Sequence, residues 1–160
     1  MRLTPRTSQS LCHMSIEINN QTVPSELAEL LRAGQWINPG RKAMRQMFRG
    51  LRDPVDFVKT VDQMRQESGE GREPLPDLRE TRSSMSGYQI DLPWIDLDFA
   101  ICIATTLNPG DDVGIFIDYR SSKTDPRVIY TEWTRREGCL WREAFATFGQ
   151  FLGEMNRYKE

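Results

Sequence analysis

The chain has 160 residues, of which 38% are hydrophobic and 28% are charged. This composition is typical of a globular domain and unlike that of a disordered chain. The formal net charge of −2 argues against a general nucleic-acid binder, which usually carries a clear basic excess. Cys12, Cys102 and Cys139 have no paired spacing, so they predict neither a disulfide framework nor a zinc site.

Two segments lack the pattern of a folded element. We expect residues 1–13 to be a disordered tail, or the product of a start codon upstream of Met14, and residues 14–160 to form a single domain. Residues 68–87 are rich in Gly, Glu, Arg, Pro and Ser, which predicts a long mobile loop. No apolar run approaches the roughly 20 residues that cross a bilayer, and no secretory signal is visible, so we expect a cytoplasmic protein.

Three helices are predicted in the first half of the chain. The first follows Pro24 and ends at Gly34. The second covers residues 40–50, and the third begins with Asp53 as its N-cap and runs to about Glu67.

A row of arginines follows the flank of the second helix. The apolar residues of this helix have the i, i+3, i+4, i+7 spacing of an amphipathic helix, at Met44, Met47, Phe48 and Leu51. Two interpretations stay open for the row: a solvated face whose stems pack over the edge of the core, or a contact for an acidic surface. The row consists of Arg41, Arg45, Arg49 and Arg52.

The second half of the chain has the pattern of β-structure. Strands are predicted over Phe99–Thr105, Val113–Tyr119 and Arg127–Trp133, and a closing helix over Glu143–Tyr158. Connections of about seven residues favour antiparallel pairing, because parallel strands need a longer crossover. The predicted fold is therefore α+β, an antiparallel sheet of three to four or more strands flanked by N-terminal helices and a C-terminal helix.

The residue types needed for common catalytic sites are scarce. His13 is the only histidine, which nearly excludes a Ser-His-Asp or Cys-His arrangement. The chain contains neither GxGxxG nor GxxxxGK[ST], and neither CxxC nor HExxH. We therefore expect a protein without enzymatic activity and without a cofactor.

Aspartates cluster in the predicted β-region. Asp111 and Asp112 lie on the turn that follows Asn108, and Asp118 closes the next strand. The simplest interpretation is that these residues stabilise turns, because an Asp side chain bonds the backbone two residues on. The alternatives are contact with a partner protein and a site for Mg²⁺ or Ca²⁺, which prefer hard oxygen ligands.

The candidate recognition point is the tripeptide Asp118-Tyr119-Arg120. It combines an acid with Tyr and Arg, two residue types that dominate binding hot spots. Trp94, just before the strands, is a further candidate anchor, although a tryptophan near a sheet edge is more often a lid on the core.

The segment from Leu92 to Met155 resembles the SUKH superfamily, which includes yeast cell-wall-synthesis regulators and many bacterial immunity proteins. The helical part from Leu27 to Met64 agrees with that family only in general layout. The motifs that carry the resemblance are Leu92-Pro93-Trp94, Ala100–Ala104, Pro109-Gly110-Asp111-Asp112, Ile117-Asp118-Tyr119-Arg120, Asp125-Pro126-Arg127-Val128, Trp133, Cys139-Leu140-Trp141-Arg142-Glu143 and Thr147-Phe148-Gly149-Gln150-Phe151-Leu152.

The resemblance implies a non-enzymatic protein-binding scaffold whose partner is a bacterial toxin domain. We place Asp111, Asp112 and Asp118 at the contact, because a nuclease toxin is commonly basic and complementary charge speeds association. We expect no direct contact with nucleic acid or membrane. Two alternatives stay open: a regulatory scaffold of the same family with another client, and a divalent-metal-dependent hydrolase that uses the aspartates of residues 111–118.

Overall fold

A five-stranded antiparallel sheet forms the centre of the protein. The computed structural model describes residues 15–71, 96–108, 113–134 and 138–158. The strands are β1 (Glu17–Ile18), β2 (Gln21–Thr22), β3 (Val55–Phe57), β4 (Ala100–Thr106), β5 (Gly114–Asp118), β6 (Arg127–Thr134) and β7 (Gly138–Phe145). The helices are α1 (Ser25–Arg32), α2 (Arg41–Met47), α3 (Val61–Glu67) and α4 (Phe148–Asn156), with a 3₁₀ turn at Leu97–Phe99.

The sheet has the strand order β3-β4-β5-β6-β7, and every neighbouring pair is antiparallel. Strands β1 and β2 form a separate hairpin before α1. The predicted α+β class is confirmed, as are its antiparallel sheet and its flanking helices. Strands β4, β5 and β6 agree with the predicted strands to within one residue at each end.

The predicted helix at residues 53–67 is wrong in its first half. Val55 and Phe57 are buried while Asp56 between them is half-buried, which is the two-residue period of a strand. This strand, β3, pairs with β4, and the Leu107 N–H donates to the Pro54 carbonyl at 2.9 Å. Helix α3 begins only at Val61. Thr60 is its N-cap, and the Thr60 hydroxyl accepts a hydrogen bond from the backbone N–H of Gln63.

The closing helix also begins later than predicted. Residues 143–145 belong to β7, which pairs with β6 along its length. Thr147 is the N-cap of α4, and its hydroxyl accepts a hydrogen bond from the backbone N–H of Gln150 at 3.1 Å. Trp141, expected just before the helix, lies within β7 with its side chain buried against the ring of Phe116.

Aromatic rings join the N-terminal segments to α4 in one core. Trp36, predicted in an extended linker, is buried and stacks on Phe57 with 4.3 Å between ring centroids. Phe151 of α4 packs edge-on against both Trp36 and Phe48. The position of α2, which lies between Trp36 and Phe48 in the chain, is thereby fixed relative to the sheet.

The first residues of the predicted mobile loop belong to the folded domain. The Ser68 side chain is buried, and its hydroxyl accepts the backbone N–H of Cys102 at 2.9 Å. Asn19 donates its side-chain amide to the carbonyls of Ser68 and Leu97. The rest of that predicted loop and the predicted tail at residues 1–13 lie outside the described residues.

Candidate functional site

Asp118, the acid of the predicted recognition point, lies inside the protein. Its side chain has 0% exposure, and two arginines surround its carboxylate. Arg120 donates from Nε to Oδ1 at 2.8 Å and from Nη2 to Oδ2 at 3.1 Å. Arg127 donates from Nε to Oδ2 at 2.8 Å and reaches Glu143 with Nη1 at 3.3 Å. We call Asp118, Arg120, Arg127 and Glu143 the Asp118 cluster.

The Asp118 cluster joins the end of β5 to the start of β6. The backbone N–H of Arg120 also donates to Asp118 Oδ1 at 3.1 Å, so each carboxylate oxygen has at least two donors. Charge-assisted bonds of this kind are the strong ones, and they offset the cost of burying a carboxylate. The geometry makes Asp118 a structural residue.

Tyr119 is also buried, and its ring does not face solvent. The phenol donates to the backbone carbonyl of Thr22 at 2.6 Å, which ties β5 to the N-terminal hairpin. Burial raises the pKa of the Tyr119 phenol well above its ordinary value, because a phenolate is poorly solvated inside the protein.

The predicted recognition point therefore needs correction. Neither the Asp118 carboxylate nor the Tyr119 ring is exposed to a partner, and the side chain of Arg120 keeps 25% exposure while it holds Asp118. The other predicted contact residues, Asp111, Asp112 and Trp94, lie outside the described residues. A charged residue at a strand end looks exposed in the sequence, and here it is the centre of a buried ion pair.

The described part of the chain contains a different open site, a groove of about 410 Å³ between α2 and β3. Helix α2 forms one wall, and β3 with the residues just before it forms the other. We call it the α2–β3 groove. Its apolar lining comes from Met44, Leu51, Val55 and Leu107.

Asn38 fixes the two walls of the α2–β3 groove relative to each other. Its side-chain amide donates to the Val55 carbonyl at 2.9 Å, and its Oδ1 accepts the backbone N–H of Gly40 at 2.8 Å. Gly40 starts α2 with a φ of 99°, a left-handed conformation that favours glycine. One side chain thus sets both the start of the helix and the edge of the sheet.

Three arginines of the predicted row line the α2–β3 groove. Arg41, Arg45 and Arg52 are exposed, and none of them makes an ion pair or side-chain hydrogen bond with another described residue. Helix α2 has no acidic residue, so Arg41 and Arg45 follow one another at i, i+4 spacing without a counter-charge in the helix. Like charges at that spacing destabilise a helix by a few tenths of a kcal/mol per pair. An arrangement that lowers the stability of the fold is more typical of a binding surface than of a scaffold.

A large apolar side chain lies at the same groove. Leu107, which follows β4, is 60% exposed, and Ile37, next to Asn38 in the chain, is 64% exposed. An exposed apolar side chain such as Leu107 close to arginines is typical of a protein interface, whose centre is apolar and in which arginine is enriched. Sequence reasoning identified the arginine row and missed Leu107, because only the pairing of β3 with β4 brings that residue to the groove.

A second groove of about 420 Å³ adjoins Tyr119. It lies between α1 and the loop before β6, and Glu29, Arg32 and Lys123 give it mixed charge. Because no exposed large apolar side chain lines it, it has less of the character of an interface than the α2–β3 groove.

Comparisons of the chain with protein-family models, with curated proteins and with solved structures found no match. The resemblance to the SUKH superfamily therefore stays a prediction. In the described ranges, no group of three or more His, Cys, Asp or Glu residues is placed to hold a metal ion. None of the helices described is both long and apolar enough to cross a membrane.

Proposed function

We propose that this chain is a non-enzymatic protein-binding domain that acts as an immunity protein, which binds and neutralises a bacterial toxin. The observation that carries the binding function is the meeting of exposed Leu107 with three arginines that have no ion-pair partner among the described residues. Arginine is one of the residue types that supply most of the energy of protein interfaces, and the buried centre of an interface is more apolar than its rim. The toxin as client comes from the resemblance of residues 92–155.

The framework around the α2–β3 groove favours binding without rearrangement. Asn38 bonds to both walls, and β3 is hydrogen-bonded to β4. A surface that is held in place before the client arrives loses less conformational entropy on association. Such a surface neutralises a toxin by covering its site, and this requires no reacting group on the domain itself.

The charge of the proposed contact differs from the one expected from the sequence. The expectation used Asp111, Asp112 and Asp118, of which Asp118 is buried and paired and the other two lie outside the described residues. The exposed charges without partners at the groove are guanidinium groups. We therefore assign the contact to the α2–β3 groove.

The alternative of a metal-dependent hydrolase is disfavoured because the carboxylate oxygens of Asp118 are already occupied by hydrogen bonds. Both of its oxygens already accept bonds from Arg120 and Arg127, so a Mg²⁺ ion would have to displace guanidinium groups to reach it. Calorimetric titration with Mg²⁺, Mn²⁺ and Ca²⁺, together with thermal melts, tests this alternative. A heat of binding with a rise in melting temperature would support the hydrolase, since a bound ion stabilises the folded state by mass action.

The proposed function is tested by affinity purification and by growth. The tagged chain is used to capture proteins from lysate of its own cells, and the products of neighbouring genes are also tested one by one. Recovery of one toxin-like protein in equal ratio, and growth of cells that express that toxin only when the chain is present, are the expected results. A stable client whose expression is harmless would instead identify a regulatory scaffold.

A further inference from the structure

We propose that the α2–β3 groove binds an acidic, extended segment of the client that carries a large apolar side chain. This inference rests on the proposed function, because it assigns the chemistry of the client's contact. It goes further because it states that the client's contact segment is acidic and carries an apolar side chain that anchors it. Four features of the described residues lead to it.

The first feature is a local basic excess in a chain that is acidic overall. Residues 33–60, which include α2 and β3, hold six Lys/Arg and two Asp/Glu, a sum of +4. The remaining 132 residues therefore sum to −6, since the whole chain has a net charge of −2. Carboxylates of a client are attracted to this one region and repelled by the average surface.

The second feature is the combination of planar cations with an apolar lining. Arg41 and Arg45 are four residues apart on α2, and Arg52 lines the groove from the segment after it. A guanidinium group bonds a carboxylate in bidentate fashion. Leu107, exposed at the same groove, offers a contact for an apolar side chain between the acids.

The third feature makes strand addition unfavourable as the mode of binding. Pro54 and Val58 bond to β4, so the backbone groups of Val55 and Phe57 face the open edge of the sheet. The Val55 carbonyl already accepts from Asn38, and the Phe57 N–H donates to Asp56 Oδ1 at 2.8 Å. The edge is blocked at these two groups, so recognition depends on side chains in the groove.

The fourth feature distinguishes a peptide from a nucleic acid. Asp53 and Asp56 also line the groove, next to the arginines. A continuous phosphate backbone would meet both carboxylates, whereas a peptide can place its acids opposite the arginines alone. The apolar lining likewise has no aromatic ring on which a base could stack, among the lining residues described.

The test uses a fluorescein-labelled peptide of Glu and Asp residues around a central Leu-Leu pair, with fluorescence anisotropy as the measurement. The variant is Arg41→Glu/Arg45→Glu, which reverses two groove charges. The matched control is Lys42→Glu/Arg49→Glu, which makes the same change in net charge on neighbouring exposed residues that do not line the groove. Circular dichroism melts verify that both variants fold.

We expect the groove variant to weaken binding by about tenfold or more and the control by about twofold, because close contacts depend on position and the general field does not. Leu107→Ala should also weaken binding, while Phe99→Ala, an exposed apolar residue at the other end of β4, should not. Binding by the wild type should fall as salt is raised.

Several results would overturn the inference. These are absence of peptide binding, equal weakening by the groove variant and its control, stronger binding of poly-uridylate RNA than of the peptide, and a dimer of the chain that only the groove variant dissociates. The failure of the proposed function is separate. If the client is captured equally by the wild type and both variants, the function stands and the groove assignment fails. If the peptide binds through the groove but no toxin is captured, the groove assignment stands and the immunity function fails.

Discussion

Arginine occurs in two contrasting settings in this protein. In the Asp118 cluster, Arg120 and Arg127 are 25% and 19% exposed and share one buried carboxylate. At the α2–β3 groove, Arg41 and Arg45 are exposed and have no ion-pair partner among the described residues. The same side chain thus holds two strands together in one region and, in the other, is exposed in the groove to which we assign the proposed contact. Pairing and burial separate the two roles, and residue type does not.

The largest expected effect on stability is at Asp118, and its substitution tests the structural role of the paired arginines. Asp118→Asn keeps the shape of the side chain and removes the charge that Arg120 and Arg127 share. Because two partly buried guanidinium groups then lose the buried carboxylate that they share, and only Arg127 keeps the partly exposed Glu143, we expect the free energy of unfolding to fall by about 3 kcal/mol. Urea denaturation at neutral pH measures the loss.

Asp98→Asn is the matched control for this prediction. Asp98 is exposed and its carboxylate accepts no hydrogen bond from another described residue, so its substitution should change the free energy of unfolding by less than about 0.5 kcal/mol. Equal losses in the two variants would show that the Asp118 cluster contributes nothing to the fold beyond an ordinary surface charge.

Tyr119, next to this cluster, predicts a dependence of stability on alkaline pH. Burial raises the pKa of its phenol, so the folded protein keeps this proton at pH values where the unfolded chain has lost it. The contribution is therefore present in full below about pH 10 and is lost as the pH rises above it, by at most about 1.4 kcal/mol per pH unit. Urea denaturation between about pH 9 and 11 should give a steeper decline for the wild type than for Tyr119→Phe. Parallel declines would contradict the assignment.

At neutral pH, Tyr119→Phe should cost less than the loss of Asp118. The substitution removes only the hydrogen bond from the phenol to the Thr22 carbonyl, and Thr22 is exposed, so water can replace the donor. We expect a loss of about 1 kcal/mol in the free energy of unfolding. Tyr158→Phe, whose phenol bonds to no other described residue, is the control. A loss no larger than that of the control would mean that this bond does not anchor the hairpin.

Parts of the fold were predictable because their signals are local. Strands β4 and β5 are apolar runs between turn residues, and their bounds follow from the sequence. Strand β3 has only three residues, and Asp53-Pro54 before it has the pattern of a helix start. It is a strand because residues 104–106, about fifty positions later, pair with it. A short stretch of sequence around β3 does not include that partner strand.

The same limit applies to the candidate site. The arginine row was visible as a spacing pattern, with a solvated face and an acidic contact as its two interpretations. The choice between them depends on Leu107 and Arg52, which the pairing of β3 with β4 brings to one groove. The error at Asp118 has the same cause, because Arg127 approaches its carboxylate only through the pairing of β5 with β6.

The smallest expected effect on stability is at the groove, where substitution tests whether the exposed arginines are dispensable for the fold. Arg41→Glu/Arg45→Glu should change the free energy of unfolding by no more than about 0.5 kcal/mol, since neither guanidinium group has a partner to lose among the described residues. The opposing effects nearly cancel, because an acid at position 41 in the first turn of α2 suits the helix dipole, an acid at position 45 in the last turn opposes it, and two glutamates repel each other at i, i+4 spacing as two arginines do. Urea denaturation at low and high salt measures the change in the free energy of unfolding.

A loss above about 1 kcal/mol would place these arginines with Arg120 and Arg127 as structural residues. An unchanged or higher stability, together with loss of peptide binding, would separate the groove from the fold, which is the behaviour expected of a surface kept for a client.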